Sequence, residues 1–177
     1  MKAVPRAVWL GTGLAWAGRS LLEFAHPEYW NPVTTLDWLA VWSFSACLLL
    51  LAPSLVWLGA VTESRPVITV AVVVAIAAVA AGVANAVEDG LGIKALGTVY
   101  VLGAMTVAFG LLALAAVVYR AGYRRLAGVV VVLFVGGVAF VAGGGLLVLG
   151  TLGALAVTPM WFTLRAQAPE AAGTPAS

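Results

Sequence analysis

Seven acidic residues stand in a chain of 177, and five of them, Glu23, Glu28, Asp37, Glu88 and Asp89, lie in or beside short polar stretches between long apolar runs. Two carboxyls converging in a water-poor pocket can work as acid and base, because burial raises the pKa of one of them. Glu23, Asp37, Glu88 and Asp89 are the candidates for such proton transfer. Trp30, Trp38 and Trp42 stand among them, and tryptophan faces stabilise a ligand cation or a carbocation. Arg19 precedes Glu23 by four residues, so the two can pair on one helix face. Inside a membrane such a pair is either structural or the core of a site, and Arg19 alone could hold a lipid phosphate or carboxylate. His26 follows closely and could shuttle a proton or sense pH, or simply occupy a loop. Asn85 sits in apolar surroundings and requires a hydrogen-bond partner there. With Glu88 and Asp89 three and four residues on, it would extend a polar stripe inward.

Most of these residues also have a structural reading. Thr34-x-x-Asp37 matches a capping box at the start of a helix. Asp89-Gly90 reads as a helix stop. Tyr29, Trp30, Trp38 and Trp42 fit an aromatic belt at the headgroup level, with Trp9, Trp57 and Trp161 as a second belt. The chain has no Gly-x-Ser-x-Gly, no phosphate-binding Gly-rich loop ending in Lys-Ser/Thr and no His-Glu-x-x-His. With one cysteine, Cys47, and one histidine, no internal disulfide, haem, zinc or iron–sulfur site is expected, and no cofactor is implied.

Positioning these groups falls to the apolar runs. Hydrophobic residues make up 63% of the chain and charged residues 9%, against about 45–50% and about 25% in soluble domains. That excludes an ordinary soluble enzyme, a disordered chain and a nucleic-acid binder. The expected fold is an all-α integral membrane protein. A polytopic bundle of about six transmembrane helices fills residues 1–165, and a disordered tail follows over 166–177. The spans are Ala7–Ala25, Asp37–Ala60, Val67–Val87, Ala95–Val118 and two within Leu126–Leu164. That last run holds 39 residues without a charge, too long for one crossing of a core about 30 Å thick, and Gly143-Gly144-Gly145 offers a reversal. Five spans plus a re-entrant segment is the alternative. Pro53 should kink the second span, and Ala78, Gly82 and Ala86 form a small-residue packing stripe on the third.

Six spans with a cytoplasmic N-terminus put Lys2, Arg6, Arg65, Arg120, Arg124, Arg125 and Arg165 inside and only Lys94 in an outer loop, as the positive-inside rule requires. Residues 1–17 could instead be a cleaved signal ending at Ala15-Trp16-Ala17. The placement expected is a multi-pass protein of the cell membrane with an outward acidic and aromatic cluster. Such a cluster would bind a lipid, a small cation or a partner membrane subunit through Arg19, Glu23, His26, Trp30, Asp37, Trp38, Trp42, Asn85 and Glu88. A membrane-embedded enzyme acting on a lipid or isoprenoid, and a transporter coupled through Arg19, Glu23 and Asn85, are the alternatives.

Overall fold

The computed structural model describes residues 4–25 and 33–141, and within them the chain is all-helical. Five helices follow in order: α1 (Val4–Ala25), α2 (Thr35–Thr62), α3 (Arg65–Glu88), α4 (Gly97–Arg120) and α5 (Arg124–Val141). At 1.5 Å per residue, α3 and α4 each measure about 36 Å and α2 about 42 Å. These three are long and apolar enough to cross a bilayer. Residues 26–32, residues 142–165 with the expected sixth span, and the tail lie outside the described residues.

The helix ends follow from local chemistry. Thr34 and Asp37 form the expected capping box at α2. The Thr34 hydroxyl accepts the Asp37 N–H, and the Asp37 carboxylate accepts the Thr34 N–H at 2.7 Å. Glu63 closes α2 in the left-handed region, at φ 51°. Pro66 opens α3 in its first turn, where a missing N–H costs nothing. Pro53 lies inside α2, which continues to Thr62. The basic loop expected over Tyr119–Arg125 is shorter than its composition suggested. Arg120 ends α4 and Arg124 begins α5, because Gly122, at φ 94°, reverses the chain within three residues.

Each helix packs chiefly on its neighbours in sequence: α1 on α2, α2 on α3, α3 on α4 and α4 on α5. Short connections make these neighbours antiparallel. The registers agree: Thr12 meets Leu50 and Ser54, while Trp16 meets Phe44. Leu51, Leu55 and Leu58 of α2, Val67 and Val74 of α3, Leu111 and Leu114 of α4 and Leu126 of α5 form one buried cluster.

Small residues let the helices close on one another. Gly82 of the expected stripe is buried, and a methyl group there would stand 3.2 Å from the Ser45 carbonyl of α2. The contact of α3 with α4 is equally tight, since a methyl at Gly103 of α4 would stand 3.0 Å from Cβ of Ala81. The remaining faces stay apolar and open, with Ile76 64% and Phe109 63% exposed. Such surfaces suit lipid and are costly in water.

Candidate functional site

The antiparallel order brings the C-terminal end of α1, the start of α2, the end of α3 and the start of α4 to one end of the molecule. Arg19, Glu23, Asp37, Trp38, Trp42, Asn85, Glu88, Asp89 and Lys94 all belong to it. His26, Glu28 and Trp30 lie outside the described residues, as does the side chain of Glu23, although its backbone belongs to α1.

Asp37 is buried, and its Oδ2 accepts from the Val33 N–H at 3.0 Å, the Thr34 N–H at 2.7 Å and the Thr34 hydroxyl at 2.8 Å. Three donors hold this carboxylate as part of the helix cap. Asp89 instead takes a hydrogen bond and ion pair from Lys94 at 3.1 Å, on an exposed loop. Its contribution to stability is small, because water screens it.

Glu88 has a different neighbour. A methyl group at Gly97 would stand 2.9 Å from Glu88 Oε2, so the carboxylate lies against the first residue of α4. The N-cap of α4, Leu96, makes no side-chain capping bond, and its first turn carries no acid. Glu88 thus brings negative charge from α3 to the positive end of the α4 dipole.

Asn85 finds its partner on α2. Its amide donates to the Ser45 hydroxyl at 2.9 Å and approaches the Val41 carbonyl at 3.4 Å. Asn85 and Ser45 are both buried. One turn on, α3 stops at Asp89-Gly90 as expected. Asp89, in a right-handed conformation, caps the helix, and Gly90 follows it without entering the left-handed region. A Cβ there would run first into the Ala86 carbonyl of α3 itself and then into the indole of Trp42, whose Cζ2 would stand 2.9 Å away.

Arg19 is fully buried between α1 and α2. Its guanidinium lies 5.9 Å from the Phe44 ring centroid, and Trp16 meets that ring edge-on at 6.2 Å. Trp38 and Trp42 remain more than a third exposed, as belt residues do, whereas Trp57 packs against the core.

Two features were not foreseen. Thr12 and Ser54, both fully buried, form a second polar node. The Thr12 hydroxyl lies 3.1 Å from that of Ser54 and 3.0 Å from the Leu50 carbonyl. An open groove of about 420 Å³ also runs between α2 and α3 beside Pro53, lined by apolar side chains that include Ala52, Val56, Val72, Ile76 and Val79. Hydroxyls within otherwise apolar runs were the one sequence signal for the node, and the helix-breaking Pro53 was the one for the groove. No known protein family, curated protein or solved structure matches the chain.

Proposed function

We propose that the chain is a multi-pass membrane protein of about six spans, with both ends in the cytoplasm, that binds a lipid along α2 and α3 at its outward acidic and aromatic end. The observation that carries this reading is the alignment of Trp42 with the groove. Trp42 and Pro53 are eleven residues apart, close to three full helical turns, and so lie on one stripe of α2 about 16 Å apart along its axis. Acyl chain would lie against Pro53, Val56 and Ile76. Headgroup would lie beside Trp42, where Asp89 and Lys94 supply both signs of charge.

Binding is better supported than acid–base chemistry. Proton transfer by a carboxylate pair needs two groups able to exchange protons with a substrate. Asp37 Oδ2 takes three donors of its own cap, Asp89 pairs with Lys94, and Glu88 lies against the start of α4.

Native mass spectrometry of the gently extracted protein tests the reading. The expected result is a retained lipid mass that disappears in Ile76→Trp, which fills the groove. A bare chain under mild extraction, or retention unaltered by that substitution, counts against lipid binding. A retained polypeptide mass would mark a partner subunit instead.

A further inference from the structure

Two turns meet at the end of the molecule opposite Trp42. Glu63 and Ser64 join α2 to α3, and Ala121, Gly122 and Tyr123 join α4 to α5. The Tyr123 hydroxyl reaches the Thr62 carbonyl at 3.4 Å, which brings the second turn against the first. Arg65 flanks one turn, and Arg120, Arg124 and Arg125 flank the other. All four are exposed, and Glu63 is the one acid at this end among the described residues. The Arg124 guanidinium lies 5.8 Å from the Tyr119 ring centroid, a cation–π distance that favours one placement of the side chain.

We propose that this end is a headgroup site for anionic phospholipid, with Arg120, Arg124 and Arg125 meeting the phosphate and Arg65 adjoining them. Guanidinium groups match phosphate oxygens in charge and in bidentate geometry. An acidic peptide or a nucleic acid would answer the same charge, but the position of the arginines favours lipid. Arg120 is the last residue of α4, Arg65 the first of α3 and Arg124 the first of α5. The charges therefore begin where the apolar helices end, at the depth of lipid phosphates, and no stalk carries them into water. Tyr123 is a positioning residue that holds the two turns together. The proposal rests on the membrane-spanning reading and is independent of the α2–α3 groove.

The test reconstitutes the full chain into bilayers containing spin-labelled phosphatidylglycerol or phosphatidylcholine and measures the motionally restricted fraction of each. The wild type should restrict phosphatidylglycerol several-fold more strongly than phosphatidylcholine. Each arginine replaced by glutamine should weaken that preference by up to about fivefold. The combined variant Arg120→Gln, Arg124→Gln, Arg125→Gln should abolish it, while the corresponding lysine variant keeps most of it. Tyr123→Phe should weaken it less than loss of any one arginine. Equal restriction of the two lipids by the wild type would overturn the proposal, as would a preference that survives the triple glutamine change. Loss of the preference to inorganic phosphate at constant ionic strength would also overturn it, by marking a site for a free anion. Release of the chain from membranes by alkaline carbonate is a separate outcome, which would refute the membrane reading itself.

Discussion

Asn85 of α3 donates to the hydroxyl of Ser45 of α2 across 2.9 Å, with both side chains buried. Among apolar helices in lipid, hydrophobic burial does little to choose one partner over another, so interhelical hydrogen bonds and close packing set the register. Such bonds average about 0.6 kcal/mol in membrane proteins. Asn85→Ala should therefore lower stability by about 1 kcal/mol, once its longer approach to the Val41 carbonyl is counted as well. In a double-mutant cycle with Ser45→Ala, the coupling should be about 0.6 kcal/mol. Reversible unfolding in mixed micelles measures it, and strictly additive costs would remove this bond from the account of how α2 and α3 align.

Gly103 fixes the distance between α3 and α4. A methyl group there meets Ala81 Cβ at 3.0 Å and the Ala77 carbonyl at 3.1 Å, and helix backbone cannot yield as a flexible side chain would. Gly103→Ala should cost about 1–3 kcal/mol through overpacking, despite the better helix propensity of alanine. Gly128→Ala is the matched control on α5, where nothing lies within 4 Å. Its expected effect is a gain of about 0.5–1 kcal/mol from propensity alone. Thermal unfolding of the two variants should shift in opposite directions, and equal shifts would mean that α3 and α4 are not closely packed at this point.

Glu63 ends α2 with φ 51° and ψ 10°, a conformation in which a side chain costs roughly 1–2 kcal/mol. Its charge makes no ion pair among the described residues. Glu63→Gly should raise stability by about 0.5–1 kcal/mol, since the glycine gains in the folded turn and loses some through a freer unfolded chain. Glu63→Ala, which keeps a Cβ, should show no comparable gain. A Gly variant no more stable than the Ala variant would argue that this turn is not left-handed.

The outlines of the helices were legible because their ends carry chemistry that acts locally. Thr34-x-x-Asp37 marks the start of α2, and Arg120 with Gly122 marks the turn after α4. Spacing along one helix suggested a common side for Asn85 and Glu88, but Asn85 turns to Ser45 of α2 and Glu88 to Gly97 of α4. Contacts between helices were not legible in the same way. Nothing in the sequence around Thr12 indicates Ser54, 42 residues later, because hydroxyls in apolar runs also satisfy themselves on their own backbone, as Thr106 does on Leu102. Gly90 illustrates a related gap. Its place after Asp89 marked where α3 stops, but the Trp42 ring that packs beside it comes from another helix, which no local spacing announces. Glu88 stood out by residue type as a proton-transfer candidate, and nothing in the spacing of α3 announces that it lies beside the start of α4.

The cap of α2 separates a structural from a catalytic Asp37. Thr34 and Asp37 exchange hydrogen bonds, and the carboxylate also takes the Val33 N–H. Loss of a capping side chain costs about 1 kcal/mol, so Thr34→Ala and Asp37→Ala should each destabilise the fold by about that amount. Because the two side chains serve one motif, the double variant should cost less than the two single costs together. Asp37→Asn keeps an acceptor oxygen and gives up its charge, so it should fall between the wild type and Asp37→Ala. Hydrogen exchange should quicken at the amides of Val33, Thr34 and Asp37 in each variant and stay slow in the middle of α2. An Asp37→Asn protein with native exchange at those amides and loss of bound ligand or activity would instead place Asp37 in the functional machinery.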